Sequence, residues 1–365
     1  VQALAFQGLR STDDSDTTPL ISPIADFSWQ SAPNWLNSRF NVDAGTTILS
    51  RDVGAQSRRL SMQAGWELPY ITQGGHVLET KASLRGDVYS VENVTRAGFT
   101  DEYDGTPARV IPQLELGWRY PLLKSYGEGR SLLIEPVAQF IVSPGGSNSN
   151  KIPNEDSLTP EFSDSNLFGG NRFAGYDRVE TGARFNVGVQ GLWQFADTRN
   201  IDFLFGQHYR TDPENPFPFN NDLTEERSDY VGRIALHWDT QLATTYRFRL
   251  DKDDFSPKRT EINTALNLDP ILLNVDYLDL NNDPFLDDRE EIVASGQVAV
   301  TDYWTLFAGT RRDLQENQQT VANAGFKYQD ECFQLYGNFS RSLIRDRDIE
   351  PSTSFVLRVE LENLN

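Results

Sequence analysis

The chain has 365 residues, of which 38% are hydrophobic, and a formal net charge of −20. So acidic a chain argues against a nucleic-acid partner, which would require a basic surface. No segment approaches the roughly 18 consecutive apolar residues of a transmembrane helix, and a helical membrane protein is therefore excluded. A membrane β-barrel is not excluded, because only every second residue of its strands faces lipid.

The N-terminal residues do not have the pattern of a targeting signal. Residues 1–6 read Val-Gln-Ala-Leu-Ala-Phe, without the basic segment and apolar block of a signal peptide. They already have the character of a strand. We therefore expect the chain to be a mature or truncated piece of a longer protein.

Strand-like stretches recur along the whole chain. We count roughly 18 of them, with apolar residues at alternate positions, as in strands with one apolar and one polar face. The clearest are Leu60–Leu68, Ala108–Tyr120, Ile201–Tyr209, Tyr230–Trp238, Leu242–Leu250, Ile262–Leu268, Ile292–Val300, Phe333–Phe339 and Phe355–Leu361.

The most regular stretch is Thr181–Phe195. Its odd positions are mostly apolar, as at Phe185 and Trp193, and its even positions are mostly polar, as at Arg184 and Asn186. It is about twice the roughly 5–6 residues of an ordinary globular strand. A membrane-spanning barrel needs long strands with two distinct faces. Its backbone groups must form hydrogen bonds with neighbouring strands, while its apolar side chains face lipid.

The connections between the strands alternate in length. The short set is 72–75, 196–200, 239–240, 269–270, 301–302 and 329–331. The long set is 94–105, 143–178, 211–227, 251–258, 282–290, 312–318 and 344–353. Short turns at one end and long loops at the other are typical of outer-membrane barrels. A soluble sandwich or propeller would not require this alternation.

The tryptophans support the same interpretation. All seven lie within a few residues of a short turn, two of them beside a candidate turn at 31–33, which predicts an aromatic girdle at the periplasmic interface. The alternative is that they pack a core. They are Trp29, Trp35, Trp66, Trp118, Trp193, Trp238 and Trp304.

No motif predicts catalysis, a cofactor or a metal site. The histidines His76, His208 and His237 lack metal-ligand spacing. His208 shares a strand face with Asp202 and Arg210, which leaves two readings, a hydrolase dyad at a barrel rim or a polar cluster facing the lumen. We expect the polar cluster.

Charged residues outside this group leave further alternatives. The acidic segments 251–254 and 283–291 could bind divalent cations, although solvated loop charge is the simpler reading. Four arginines of the polar strand faces would suit anionic solutes in a porin. They are Arg184, Arg233, Arg247 and Arg249. The single cysteine, Cys332, lies beside a short turn and is either a free thiol or the partner of a cysteine elsewhere.

Segment 143–178 is the longest interruption and is expected to be functional, because long loops in compact proteins usually are. It contains IPNEDS at 152–157 and NLFGGNRFAGYDR at 166–178. These motifs resemble the signature of the LPS-assembly outer-membrane family LptD (also called OstA), and the likeness continues to the end of the chain. The loop residues concerned are Pro153, Asn154, Glu155, Asp156, Asn166, Leu167, Phe168, Asn171, Arg172, Gly175, Tyr176, Asp177 and Arg178.

The resemblance implies an all-β, transmembrane antiparallel barrel of about 26 strands, preceded by a periplasmic domain, in the outer membrane of a Gram-negative bacterium. Such proteins accept lipopolysaccharide (LPS) from periplasmic Lpt bridge proteins and insert it among the outer-membrane lipids. An LptE-type lipoprotein plugs the barrel. With roughly 18 strands, residues 1–365 would be the C-terminal part of the barrel, and 143–178 an extracellular lid.

The resemblance also implies a weak seam that opens sideways between the first and last strands. The last strand would be one lip of this seam, and the opposite lip lies outside the sequence. The seam residues are Ser354, Phe355, Val356, Leu357, Arg358, Val359, Glu360 and Leu361. Family members carry two cysteines where this chain has Glu331-Cys332, so at most one disulfide to the absent periplasmic domain can leave this segment.

The sequence therefore predicts a protein that translocates LPS through a barrel lumen and a lateral seam, without enzymatic activity or a cofactor. The alternative is a porin or a substrate-specific outer-membrane channel. A long periplasmic segment encoded upstream would favour the transporter.

Overall fold

The computed structural model describes residues 1–10, 12–158, 161–196, 198–211, 217, 222–281, 288–345 and 350–361. These residues form twenty strands and two short 3-10 helices, Ser15–Thr17 and Asp222–Thr224. The strands are β1 (Gln2–Ala5), β2 (Leu20–Gln30), β3 (Arg39–Ser50), β4 (Gln56–Ile71), β5 (Val77–Val94), β6 (Tyr103–Gly105), β7 (Ala108–Arg119), β8 (Leu122–Gly127), β9 (Arg130–Ser143), β10 (Gly182–Ala196), β11 (Arg199–Arg210), β12 (Arg227–Trp238), β13 (Leu242–Leu250), β14 (Pro257–Leu268), β15 (Ile271–Leu280), β16 (Arg289–Ala299), β17 (Trp304–Asp313), β18 (Gln318–Gln329), β19 (Phe333–Ser342) and β20 (Thr353–Leu361).

The chain divides into two compact units. In the first, β1 to β5 pair in order, β5 pairs with both β6 and β7, and β7 pairs with β9. In the second, the strands from β12 to β20 pair in order. All these pairings are antiparallel, and the predicted all-β class is confirmed. The first unit is Val1–Leu122, Glu135–Val189 and Gly206–Asp229, and the second is Leu123–Ile134, Gln190–Phe205 and Tyr230–Asn365.

The strands of the first unit are covered on their polar face and bare on their apolar face. In β4, Arg59 and Ser61 are buried, whereas Leu60 and Met62 are 59% and 55% exposed. A soluble sheet buries its apolar face instead. The reversal is expected of strands whose apolar side faces hydrocarbon.

The second unit shows the same separation of faces. A continuous apolar row crosses nine strands at matched register positions, and several of its members are among the exposed large hydrophobic residues. On the other face Arg247 donates to Asn263 over 3.0 Å, and Asn263 donates to Asp276 over 2.9 Å. The row consists of Trp238, Leu242, Leu266, Leu273, Gly296, Ala308, Ala324, Phe339 and Phe355.

The connections alternate in length largely as predicted. The bounds of the strands leave short connections at 72–76, 197–198, 239–241, 269–270, 300–303 and 330–332, and long ones that include 95–102, 144–181, 211–226, 281–288 and 343–352. Residues 159–160 and 197 and parts of the last three long connections lie outside the described residues. The roughly 18 predicted strands fall short of the observed number because β6 and β8 are too brief to show an alternating pattern.

Two predicted connections are wrong in length. The loop expected at 312–318 is the four-residue turn 314–317. Asp313 accepts the Glu316 amide at 2.8 Å, and Asn317 takes a positive φ of 53°, so a compact turn forms within the polar run. Conversely, the turn expected at 31–33 is the connection 31–38. Its Asn34 side chain caps the amides of Leu36 and Ser38 and holds the wider turn.

Five of the seven tryptophans lie near short connections, as predicted. Trp66 and Trp118 lie near such ends of β4 and β7, Trp193 and Trp238 near those of β10 and β12, and Trp304 begins β17. Trp29 and Trp35 lie instead at the wider connection 31–38. Which side of a membrane these strand ends face stays a prediction. Among the described residues, no helix has the length and apolarity needed to cross a membrane.

The exposed apolar face predicts a test with neighbouring residues of β4. A lysine at Met62 should destabilise the full-length protein by about 2–4 kcal/mol in a bilayer, because the charge would enter hydrocarbon. The control, Gln63→Lys, places the same charge on the polar face and should cost little. Urea unfolding in lipid vesicles measures both. Equal, small effects would contradict a lipid-facing surface, since an exposed position in water tolerates lysine.

Candidate functional site

The loop 144–181 is folded onto the polar face of the first unit. Its side chains Ile152, Phe162 and Leu167 are almost completely buried. Ile152 packs against Tyr89, Val91 and Val94 of β5, a group called here the Ile152 anchor. Loops usually lie on the surface with few buried side chains, so a loop with this much buried apolar surface has a defined docked position.

The two ends of the loop hold each other through signature residues. The Asp156 carboxylate accepts the amides of Tyr176 and Asp177, each at 3.0 Å. In return the Asp177 carboxylate accepts the amide of Glu155 at 2.8 Å. Gly175 has a φ of +76°, and a Cβ there would lie 2.5 Å from atoms of Asp156. No side chain would fit at this position without moving Asp156.

Arg59 of β4 joins both loop carboxylates to the wall of strands. Its Nη1 lies 2.5 Å from Asp156 Oδ2 and 2.8 Å from Asp177 Oδ1. Its guanidinium also lies 4.8 Å from the centre of the Tyr176 ring. Tyr89 of β5 adds a hydrogen bond from its hydroxyl to Asp177, at 3.2 Å. Charge-assisted hydrogen bonds of this kind are about twice as strong as neutral ones.

Two further arginines hold the loop backbone. Arg85 of β5 and Arg109 of β7 both donate to the carbonyl oxygen of Tyr176. Asp87, whose side chain is fully buried, accepts from Arg85 at 3.0 Å and from Arg109 at 2.6 Å, and so orients both guanidinium groups. Arg59, Arg85 and Arg109 are called here the arginine patch.

A second cluster forms around Glu180. This fully buried carboxylate accepts from Arg172 at 2.6 Å and from Arg210 at 2.7 Å, and lies 3.6 Å from Arg184 Nε. Arg172 also donates to the backbone carbonyls of Asn166 and Leu167, each at 3.0 Å. The Glu180 cluster therefore holds the stretch 166–172 of the loop, whereas the arginine patch holds Asp156 and residues 176–177.

The expected polar cluster at His208 is present. His208 Nδ1 lies 2.7 Å from Asn186 Oδ1, and Asn186 donates to Gln139 at 2.6 Å. The charged partners of Asp202 are Arg233, at 2.9 Å, and His237, at 3.9 Å. His208 and Asp202 therefore belong to separate contact networks, and the hydrolase reading loses its support.

The two carboxyl groups of the loop differ in acidity. Burial raises the pKa of Asp177, and the charge of Asp156 adds to this rise, so that the pKa lies above its ordinary value despite Arg59. Burial also acts on Asp156. There, however, Arg59 and the amides of Asp177 and Tyr176 outweigh burial and hold the pKa below its ordinary value.

Other signature residues have structural partners inside the loop. Asn154 accepts the Ser157 amide at 3.1 Å, and Asn171 accepts the Glu180 amide at 2.9 Å. The Phe168 carbonyl accepts from Gln139 at 3.0 Å. Leu167 approaches β11 so closely that a Cβ on Gly206 would lie 2.5 Å from it. Pro153 and Arg178 lie beside the two loop stretches, 155–156 and 176–177, that bind each other. Arg178 donates to the Ile152 carbonyl at 3.1 Å.

The C-terminal strand is the edge of the second unit. β20 pairs with β19 from Phe333 opposite Leu361 to Arg341 opposite Thr353. Its nine residues are exposed on both faces, including the predicted seam residues Ser354 to Leu361. Among the described residues, β19 is the one strand with extensive contact to it. The geometry is that of an open edge.

The remaining predicted sites carry little chemistry. Cys332 is a free, exposed thiol in the turn 330–332. No group of three or more potential metal ligands occurs in the described part of the chain. In segment 251–254 the Asp251 carboxylate pairs with Lys258 at 2.8 Å. Most of segment 283–291 lies outside the described residues.

The sequence alone did not single out the arginine patch or Glu180. Arg59, Arg85 and Arg109 lie on the polar face of their strands, Arg59 and Arg109 near the beginning of β4 and β7 and Arg85 near the middle of β5. Charged residues at such positions are the signal that could have drawn attention to them. Their convergence on one loop depends on strand pairing, which a single sequence does not provide.

Comparison with known proteins decides the family. Residues 1–285 match the family described as LptD, LPS transport system D. The chain belongs to the LptD family. Its fold is therefore of the outer-membrane β-barrel type, and its location is the Gram-negative outer membrane, as predicted.

Two relatives agree with LptD membership. The LPS-assembly protein LptD of Shigella dysenteriae is 23% identical over 80% of this chain and 40% of its own length. The LPS-assembly protein LptD of Hahella chejuensis is 24% identical over 94% of this chain and 44% of its own length. The chain spans less than half the length of these relatives. Among solved structures, the siderophore receptor PirA of Acinetobacter baumannii aligns with 94% of this chain and 64% of its own chain. The sequence identity is 8% and the TM-score is 0.45.

The docked loop predicts a measurable effect of one carboxylate. Asp156→Asn in the full-length protein should weaken docking by about 1–3 kcal/mol, because a charged acceptor of Arg59 is lost. Hydrogen exchange at the amides of Tyr176 and Asp177 should accelerate accordingly. Glu316→Gln, which removes an exposed carboxylate from another connection, is the control. Unchanged exchange in Asp156→Asn would contradict the assigned role.

Docking should also depend on pH. As the pH falls from 7, Asp177 protonates first, and because its pKa is raised on docking, the docked state gains relative stability. The lowered pKa of Asp156 stabilises docking at a pH above the ordinary value of about 4, and this stabilisation is lost as the pH falls below that value through the lower pKa of the docked state. Exchange protection should therefore hold or rise between pH 7 and 5 and fall below about 4. Release between pH 7 and 5 would contradict this.

Proposed function

We propose that this chain forms part of the wall of a transporter that carries LPS across the outer membrane and inserts it into the outer leaflet. The observation that carries the proposal is the LptD family match over residues 1–285. The relatives it resembles are named LPS-assembly proteins. We take the chain to be the C-terminal part of a barrel of about 26 strands, with a periplasmic domain and the first strands encoded upstream.

The two faces of the strands suit the two parts of an LPS molecule. The saccharide would move along the polar face, where guanidinium and amide groups can replace its hydration. The acyl chains would move along the apolar face, which remains in hydrocarbon throughout. The loop 144–181, docked on the polar face, would be an extracellular lid that limits leakage while no substrate passes.

The lateral exit would lie at β20. A strand at a sheet edge leaves half of its backbone donors and acceptors without a ladder partner, and β20 is exposed along its whole length. We infer that it meets the first strand of the complete barrel through few hydrogen bonds. Opening such a seam would cost less than opening any fully paired neighbour.

Partners follow from the same assignment. An LptE-type lipoprotein would occupy the polar interior, and the periplasmic Lpt bridge proteins would deliver LPS to the upstream domain. The exposed Cys332 would form one disulfide with that domain, and the outer-membrane lipids would surround the apolar face. Membership of the LptD family favours this assignment over the porin or channel alternative.

Closing the seam tests the proposal. In the full-length gene, a cysteine at Leu357 or Val359 paired with one on the first barrel strand should block LPS delivery when oxidised, and reductant should restore it. The matched control joins the registered pair Asn338 and Val356, which locks β19 to β20 and leaves the seam free. Surface LPS is measured in cells depleted of the native protein. Normal delivery with the seam closed would refute the lateral exit.

A further inference from the structure

The arginine patch is a converging group of cations on three strands. Arg59 lies opposite Tyr89 across β4 and β5, and Arg109 lies opposite Asp87 across β5 and β7. All three arginines are largely buried, and all three contact the loop within residues 176–177. The strands therefore present several guanidinium N–H groups to a volume that two consecutive loop residues fill.

The charges around this volume come closer to balance with the loop in place. The strands supply three guanidinium groups and one carboxylate, Asp87, among the contacts described above. The loop adds the carboxylates Asp156 and Asp177, which both contact Arg59, and one further cation, Arg178. Buried cations without counter-ions are strongly unfavourable. If the loop withdraws, water or another anion has to replace its oxygen atoms.

The loop presents oxygen atoms in a compact arrangement. One carboxylate oxygen each from Asp156 and Asp177 and the carbonyl oxygen of Tyr176 contact the patch. A phosphate monoester likewise offers three strong acceptor oxygens, with a charge of about −1.5 to −2 at neutral pH. Arginine is the side chain best suited to bind such a group, because its planar fork matches two oxygens at once.

We propose that the arginine patch is a binding site for phosphate monoester groups on the saccharide of the transported lipid, and that the docked loop occupies it as a substitute anion. The assignment rests on the proposed function for the identity of the lipid. It adds that loop and substrate compete for the same guanidinium groups. The loop then leaves the polar face when a phosphorylated headgroup replaces its carboxylates, and returns after the headgroup has passed.

Direct binding to the full-length protein, purified with its membrane partner, tests this proposal. The probes are a deacylated diglucosamine bearing phosphate monoesters, the same saccharide without phosphates, and inorganic phosphate. The phosphorylated saccharide should bind the double variant Asp156→Asn/Asp177→Asn about tenfold or more tightly than the native protein, because the competing conformation is depleted. In the native protein the same probe should accelerate hydrogen exchange at Tyr176 and Asp177.

Matched variants separate this site from general charge effects. Asp251→Asn/Asp254→Asn makes the same change in net charge on a turn of the second unit and should leave binding unchanged. Adding Arg59→Gln and Arg85→Gln to the loop variant should abolish the gain, whereas Arg58→Gln, on the opposite face of β4, should not. Arg59→Lys/Arg85→Lys keeps the charge but loses the fork, and should bind weakly even where the glutamine variant fails to fold. Heat-modifiable migration on gels reports folding.

Three outcomes would overturn the proposal: equal binding of the two saccharides, an equal gain in the Asp251→Asn/Asp254→Asn control, or inorganic phosphate binding as tightly as the phosphorylated saccharide. The last result would indicate a general anion site. Failure of the proposed function looks different. In that case phosphate-dependent binding persists, while depletion of the protein leaves surface LPS unchanged. Loss of surface LPS on depletion without phosphate-dependent binding would reject the patch alone.

Discussion

The architecture depends on a two-residue alternation kept in register from strand to strand. Hydrogen-bonded pairing fixes which residues stand side by side, so a slip of one position would transfer every side chain to the opposite face. The row from Trp238 to Phe355 stays apolar across nine strands because no such slip occurs within it. Pairing in register also fixes which side chains are neighbours on the polar face. For this reason the arginines of β4, β5 and β7 on that face converge.

The polar face of the first unit has a core of buried charged side chains. Soluble domains gather apolar side chains away from water, whereas here Arg59, Asp87 and Glu180 are buried together with the loop that covers them. Such a core is stable only while each buried ion has a partner. The loop and the wall therefore depend on each other. The motif GYDR at 175–178 acts here through the backbone carbonyl of Tyr176 and the carboxylate of Asp177, and its glycine provides the space for Asp156.

Strand positions and connection lengths were predictable because the alternating pattern is local. The predicted strand Thr181–Phe195 matches the bounds of β10 to within one residue, and the predicted strand Leu242–Leu250 coincides with β13. The turn 314–317 was mistaken for a loop because polar residues at the ends of β17 and β18 look the same whether or not they are paired. The arginine patch depends on contacts between residues far apart in the chain, such as Arg59 and Asp177. No local pattern encodes those contacts, and the family signature marked only the loop half of each pair.

The Ile152 anchor has a consequence for how the loop responds to ionic strength. Dissolved salt weakens attraction between exposed charges over distances near the Debye length, about 8 Å in physiological saline. The contacts of Arg59 are far shorter than this and its side chain is largely buried, and the apolar packing of Ile152 on β5 gains strength as strongly hydrated salts are added. The docked position of this segment should therefore change little between dilute and concentrated salt.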